Sequence, residues 1–202
     1  KMANNQLEIE DLLNNLAEKS KNVAKKEIVA IENLKYETEG ECEKLYPWDI
    51  TYYAERLKEK KLGFKEEELK PYFPLNNVQE GLFKLANNLF NIRIEESKDE
   101  VQVWDEDVKF FDIFNSDNDE KLASFYLDPY SRPGEKNGGA WMNVCINKSK
   151  LLNKKPVAYL ICNGSPPLKN DGKLVKPSLM TFNEVVTLFH EFGHGLQHML
   201  TK

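Results

Sequence analysis

The spacing of apolar residues changes near Asn91, and this change limits the folds that the chain can adopt. Before Asn91, apolar residues recur at about the 3.6-residue period of an amphipathic helix. After it, short runs rich in aromatic and β-branched residues are typical of strands. The sequence therefore predicts an α+β fold that is mainly α-helical, with a small antiparallel β-sheet.

Three helices are predicted in a helical part that spans residues 1–90. The first covers about Gln6–Leu34, where apolar side chains follow helical spacing. The second begins at Pro47, because proline suits the first turn of a helix, and it ends near Gly63. The third lies in NNVQEGLFKLANNLF, residues 76–90, with apolar residues along one side.

A β-rich part is predicted for residues 91–163, followed by a turn-rich loop at 164–180. Two of its runs, VKFFDIF and LASFYL, are separated by the polar NSDNDE and predict a hairpin. The predicted strands are VQVW (101–104), VKFFDIF (108–114), LASFYLDPY (122–130) and PVAYLICN (156–163).

The last predicted helix, residues 181–202, has a clear start. Thr181 followed three residues later by Glu184 is the pattern of a capping box. Gly193 and Gly195 each cost about 1 kcal/mol relative to alanine within a helix, so we expect another element to approach closely there. The apolar side comprises Val185, Leu188, Phe189, Phe192, Leu196 and Met199, and the polar side comprises Asn183, Thr187, His190, Glu191, His194 and His198.

The polar side of this helix contains the motif H-E-x-x-H. His190 and His194 are four residues apart, so their rings lie one above the other and can converge on one Zn²⁺ ion. Glu191 is turned too far around the helix to bind beside both, but it can take a proton from a water at the metal. The alternative is that these residues form a solvated helix face with no metal-binding role. The spacing of the motif and its helical context argue against this alternative.

His198 is less suited to the same ion. It lies eight residues after His190, or about 12 Å along the helix axis. The longer H-E-x-x-H-x-x-G-x-x-H pattern also fails, because Gln197 and Leu200 occupy its glycine and third histidine positions. A catalytic zinc site needs three protein ligands, so the third is expected outside this motif.

Composition excludes several other classes of function. The formal net charge is −5 and no basic run offsets it, which argues against a nucleic-acid partner. No apolar run is long enough to cross a membrane. Three scattered cysteines, Cys42, Cys145 and Cys162, predict free thiols in a reducing compartment, and hence an intracellular, cytoplasmic or organellar protein.

Five segments together resemble the M3 family of zinc oligopeptidases, the thimet oligopeptidase and oligopeptidase A group. The resemblance covers nearly the whole chain and is much more specific than H-E-x-x-H alone. The segments are WDITYYAERL (48–57), KPYFPLNNVQEGLFKLANNLF (70–90), YLDPYSRPGEKNGGAWM (126–142), PVAYLICN (156–163) and TFNEVVTLFHEFGHGLQHML (181–200).

The resemblance implies a zincin-like metalloendopeptidase that hydrolyses short peptides. It implies Zn²⁺ bound by His190 and His194, with Glu191 as general base and a glutamate on a later helix as third ligand. It also implies that residues 1–202 are one incomplete domain, a fragment that ends before that glutamate. The alternative is a non-catalytic peptide-binding or structural piece that retains the motif, and the oligomeric state is left open.

Two further segments have possible roles in substrate binding. By resemblance, the PVAYLICN strand holds the substrate backbone along an open edge through Ala158, Tyr159 and Leu160; the alternative is a core strand. Arg132 and Lys136, in the loop SRPGEKNGGAW, either meet a carboxylate or are simply solvated.

Overall fold

The computed structural model describes residues 3–40, 44–171 and 173–201. The chain divides into two compact units, Lys1–Lys65 and Glu66–Lys202. The assignment of residues 1–202 to one incomplete domain stays a prediction. Cys42 lies outside the described residues, whereas Cys145 and Cys162 are both free thiols.

The first unit is a pair of helices, α1 (Gln6–Glu39) and α2 (Pro47–Leu62). Helix α1 continues five residues beyond its predicted end and stops at Gly40, whose φ of 76° is the left-handed conformation that glycine adopts without strain. The small core between the helices consists of Ile31, Leu34 and Tyr53. Most of the length of α1 is therefore exposed.

In its described residues, the second unit contains two α-helices, two short 3₁₀ helices (Glu66–Glu68 and Lys70–Tyr72) and two sheets. Helix α3 is Leu75–Phe90, and helix α4 is Phe182–Leu200, close to both predictions. The strands of the larger sheet are β1 (Ile92–Glu96), β2 (Lys109–Asn115), β3 (Lys121–Tyr130), β4 (Trp141–Ile146) and β5 (Val157–Gly164). A separate hairpin pairs β6 (Leu168–Asn170) with β7 (Lys173–Lys176).

The larger sheet has the order β1-β2-β3-β5-β4 and is mixed, not purely antiparallel. Strands β3 and β5 run parallel, while the other neighbours are antiparallel. Parallel neighbours need a long crossover, and residues 131–156 supply it. Within this crossover, β4 pairs on the far side of β5, so β4 becomes an edge strand.

Several details of the β prediction were wrong. VQVW is not a strand, and β1 and β4 were not predicted. The 164–180 segment also contains the β6–β7 hairpin. Strand β4 lacks the alternation of apolar and polar residues that marks a half-buried strand, because apolar side chains occupy both of its faces and several of them are exposed.

The main core lies between one face of the larger sheet and helices α3 and α4. Phe83 of α3 contacts Phe111 of β2, Phe125 of β3 and Phe192 of α4, with ring centroids 5.2–6.2 Å apart. On the opposite face, Tyr126 and Tyr159 stack at 5.3 Å. The helices thus cover one face of the sheet. None of the helices in the described ranges has the length and apolar character that a membrane span requires.

Candidate functional site

Helix α4 is held firmly at its start, as the capping-box pattern predicts. The Thr181 hydroxyl oxygen accepts a hydrogen bond from the Glu184 amide at 3.1 Å, and the Glu184 carboxylate accepts one from the Thr181 amide at 2.6 Å. Just before the helix, the Met180 amide donates to the carbonyl of Phe73 at 2.8 Å. These bonds set the direction in which α4 crosses the sheet.

The buried stripe of α4 consists of Leu188, Phe192, Gly195 and Met199. A Cβ atom at Gly195 would lie 3.0 Å from Leu160 Cδ2 of β5, so the close approach expected there is confirmed. A Cβ atom at Gly193 would have no described atom within 4 Å. The expectation that another element approaches closely at Gly193 was therefore wrong. Gly195 allows the helix to lie close to β5 and leaves the opposite side of the helix exposed.

His190 and His194 lie together on the exposed side of α4. Their Nε2 atoms are 3.0 Å apart, and their ring centroids are 4.6 Å apart with nearly perpendicular planes. Two nitrogens bound to one tetrahedral zinc ion at about 2.0–2.1 Å each are about 3.3 Å apart. The pair therefore fits two positions of one metal shell, and without metal one ring can donate a hydrogen bond to the other.

Glu191 is half-buried and follows His190 directly on α4. Its charge acts on Cys162, near the end of β5. Burial raises the pKa of the Cys162 thiol to about 11; Lys136 opposes this rise, and the negative charge of Glu191 adds to it.

The third histidine is separated from the other two. His198 Nε2 lies 3.2 Å from the carbonyl oxygen of Ile146, where β4 ends. If that nitrogen carries the proton, it donates a hydrogen bond that ties α4 to β4. Among residues 3–40, 44–171 and 173–201, no group of three His, Cys, Asp or Glu side chains is placed to hold a metal ion. The third ligand that the resemblance implies stays a prediction.

Strand β5 does not have the open edge expected of it. Its backbone pairs with β3 on one side and β4 on the other, and both Ala158 and Leu160 are fully buried under α4. The expectation of an open edge was wrong, because the crossover returns β4 to the outside of β5. A substrate backbone cannot add to a strand that is paired on both sides, so Ala158, Tyr159 and Leu160 lose the basis for their assignment.

The open edge close to α4 belongs to β4. In the described part of the chain, β4 pairs only with β5, and α4 lies against both strands. The His198–Ile146 contact places the C-terminal half of α4 at the end of β4. The sequence signal that could have located this edge is the pair Gly138–Gly139 just before Trp141, since paired glycines often mark the turn that leads into a strand.

Arg132 and Lys136 do meet a carboxylate, but it is one of the chain's own. Arg132 donates two hydrogen bonds to Asp128, at 2.9 and 2.6 Å, and the Lys136 ammonium lies 2.9 Å from the same carboxylate. Lys136 also donates to the carbonyls of Tyr130 and Cys162, at 2.7 and 2.6 Å. These cations therefore join the ends of β3 and β5 to the loop before β4, a role that the sequence did not indicate.

Comparison with known proteins assigns this chain to a protein family. The family model for peptidase family M3 matches residues 1–202. Oligopeptidase A of Haemophilus influenzae is 46% identical over 211 aligned residues, which cover 100% of this chain and 29% of the relative. An organellar oligopeptidase A of Arabidopsis thaliana, chloroplastic/mitochondrial, is 48% identical over 169 residues, covering 81% of this chain and 21% of the relative.

A relative with a different name matches as well. Dipeptidyl carboxypeptidase of Salmonella typhimurium is 44% identical over 150 residues, covering 74% of this chain and 21% of the relative. The chain spans less than a third of the length of these relatives. It belongs to peptidase family M3.

Proposed function

We propose that this chain supplies two metal ligands and the general base of a zinc metallo-oligopeptidase that cleaves short peptides. The observation that carries the proposal is the 3.0 Å separation of the His190 and His194 Nε2 atoms on an exposed helix face. Glu191 follows the first ligand directly, about 100° around the helix, where it can reach a reacting water without displacing a histidine. Membership of a peptidase family supports the same reaction class.

The proposed reaction assigns one task to each residue. A bound zinc ion would act as a Lewis acid that makes a water more acidic and polarises the peptide carbonyl. His190 and His194 hold the position from which this occurs. Glu191 accepts the proton of the attacking water as the new C–O bond forms, and then delivers it to the leaving nitrogen as the C–N bond breaks.

The substrate backbone is proposed to add to the outer edge of β4. This edge supports the proposal because no second strand of the described residues pairs with it and because it lies on the side of α4 that His198 contacts. An extended peptide that adds to a sheet edge gains main-chain hydrogen bonds without requiring a particular sequence. Broad acceptance of short peptides is therefore expected.

A non-catalytic peptide-binding module is the second candidate. One observation favours it, namely the lack of a third ligand beside His190 and His194 within the described residues. Two imidazoles leave the rest of a tetrahedral shell to water, so we expect this chain alone to bind Zn²⁺ weakly.

Isothermal titration with Zn²⁺ tests the ligand assignment. His190→Ala should abolish binding, because it removes one of only two ligands. His198→Ala is the matched control on the same helix and should leave the affinity unchanged. Tight binding that disappears in His198→Ala would show that His198 is a ligand and that the two-histidine assignment is wrong.

The role of Glu191 as general base is tested in a longer protein, in which this chain is joined to the parts of the M3 peptidases that it does not cover. Glu191→Gln keeps the size of the side chain and both histidines, so metal content should persist. Peptide hydrolysis should fall about 10²–10⁴-fold, the usual contribution of general-base catalysis. If Glu191→Gln cleaves peptides at the parental rate with zinc in place, Glu191 is not the base. If the unmodified protein binds peptides but does not cleave them, the result favours the non-catalytic peptide-binding module.

A further inference from the structure

An open cavity of about 410 Å³ lies on the face of the larger sheet opposite to α4, and Tyr159 and Ile161 of β5 line it. Leu160, between them, packs against α4, so its two neighbours point to the other face, because side chains alternate along a strand. Trp141 of β4 is the cross-strand partner of Ile161 and shares that face. The sheet therefore separates this cavity from the histidines of α4.

Three aromatic rings line the cavity, and contacts within the chain hold two of them in place. The Trp104 indole donates a hydrogen bond to the Asp128 carboxylate at 2.9 Å. Tyr159 stacks on Tyr126, with ring centroids 5.3 Å apart. Trp141 supplies the third ring, and both tryptophans are about half exposed. A ligand thus meets rings that are already ordered, so its binding has to order few additional side chains.

The charged groups around the cavity leave an excess of negative charge. The Lys136 ammonium lies 2.9 Å from the Asp128 carboxylate and donates to two backbone carbonyls, which uses its three N–H donors. The Arg132 guanidinium pairs with Asp128 and Asp105. Glu135, an exposed residue that lines the cavity, adds a third carboxylate against these two cations. The cations are therefore already neutralised, and an anion would find little attraction here.

Aromatic rings and an exposed carboxylate together suit a cationic ligand. The face of an aromatic ring attracts a cation, and tryptophan does so most strongly. A guanidinium group is planar and weakly hydrated, so it can stack on an indole while it donates two parallel hydrogen bonds to a carboxylate such as Glu135. An ammonium ion is more strongly hydrated and gains less from stacking. The chemistry of the cavity therefore favours arginine over lysine.

We propose that this cavity binds an arginine side chain of a peptide, at a site separate from the catalytic face. The net charge of −5 on the chain adds a longer-range attraction for basic peptides. The proposal goes beyond the proposed function and does not require zinc or Glu191, because α4 covers the opposite face of the sheet.

The test compares acetylated, amidated Gly-Arg-Gly, Gly-citrulline-Gly and Gly-Pro-Gly in NMR titrations of the ¹⁵N-labelled chain. Citrulline has the shape of arginine without its charge, so it isolates the cationic contribution. The Arg peptide should shift the indole N–H signals of Trp104 and Trp141 and leave that of Trp48 unchanged. It should bind about tenfold more tightly than the citrulline peptide.

Two variants alter the site, and two others serve as controls. Glu135→Gln removes the charge at constant size, and Trp141→Leu keeps an apolar wall without the aromatic ring. Each should lower the preference for arginine over citrulline by about threefold or more. Glu80→Gln makes the same change at an exposed position on α3, which packs on the other face, and should keep the preference. His190→Ala should keep it as well.

The outcomes separate this proposal from the proposed function. Equal affinity for the Arg and citrulline peptides overturns the arginine assignment, and so does tighter binding of the Pro peptide, which would indicate a site for a neutral ring. Absence of shifts at both indole signals at millimolar peptide also overturns it. Loss of binding in His190→Ala would place the peptide on the histidine face and exclude a second site. Failure of Zn²⁺ binding or of peptide hydrolysis concerns only the proposed function.

Discussion

Helices α1 and α4 carry the same sequence signature but occupy very different surroundings. Both are amphipathic and both begin with a side-chain cap, Asn5 in α1 and Thr181 in α4. Along the 34 residues of α1, only Ile31, Leu34 and Lys35 are buried among those described. The 19 residues of α4 bury a continuous stripe against the sheet. Periodicity thus predicts a helix and its apolar side, but not whether anything packs there.

The largest difference between the two helices is expected from truncating one apolar side chain in each. Phe192 is 2% exposed and contacts the rings of Phe83 and Phe125, whereas Leu12 is 59% exposed. Phe192→Ala should lower the free energy of unfolding by about 3–5 kcal/mol, because it removes buried surface and leaves a cavity. Leu12→Ala should change it by less than about 0.5 kcal/mol. Urea unfolding followed by tryptophan fluorescence measures both, and a cost above 2 kcal/mol for Leu12→Ala would mean that the apolar side of α1 is covered in solution.

Two aspartates extend the comparison from apolar to charged side chains. The Asp128 side chain is 2% exposed and is bonded to Arg132, Lys136 and the Trp104 indole, whereas the Asp119 side chain is 80% exposed and pairs with Arg93. Asp128→Asn should cost about 3 kcal/mol, since it removes the carboxylate that pairs with Lys136 and one of the two, with Asp105, that pair with Arg132. Asp119→Asn should cost less than about 0.5 kcal/mol, because exposed pairs contribute little and asparagine tolerates the positive φ at that position.

The same aspartate makes the stability depend on pH. Burial acts to raise the pKa of Asp128, but the hydrogen bonds from Arg132, Lys136 and Trp104 outweigh it and hold the pKa below its ordinary value. Ionised Asp128 therefore stabilises the fold at pH values above the pKa of an unfolded-state aspartate, about 3.9. This contribution is lost as the pH falls through the lower pKa of the folded state. Thermal unfolding between pH 6 and pH 3 should therefore show a steeper loss of stability in the native chain than in Asp128→Asn. Parallel curves would contradict this.

The smallest expected effects come from the two glycines of the histidine helix. Gly195→Ala places a methyl group 3.0 Å from Leu160 Cδ2, and Leu160 is fully buried and cannot move aside readily. The clash should outweigh the gain in helix propensity and leave a net loss of about 1 kcal/mol. Gly193→Ala meets no described atom within 4 Å and should stabilise the chain by about 1 kcal/mol. Equal effects in urea unfolding would show that Leu160 does not restrict α4.

Much of the candidate site could be predicted from the sequence because its signals are local. Capping at Thr181 and the adjacent placement of His190 and His194 depend only on helix geometry over a few residues. The long α1, the proline start of α2 and the hairpin of β2 and β3 depend on similarly short patterns. Each of these was confirmed within a few residues.

The tertiary structure alone decided which strand has an open edge, which glycine is crowded and which carboxylate pairs with Arg132 and Lys136. The sequence of β5 is the same whether it is central or at an edge; the crossover through β4 makes it central. Gly193 and Gly195 are alike in sequence, yet only Gly195 lies against Leu160. Asp128 and Lys136 are eight residues apart on a strand and a loop, and their contact depends on the path between them. These properties arise from contacts between distant segments, whose free energies no short sequence pattern encodes.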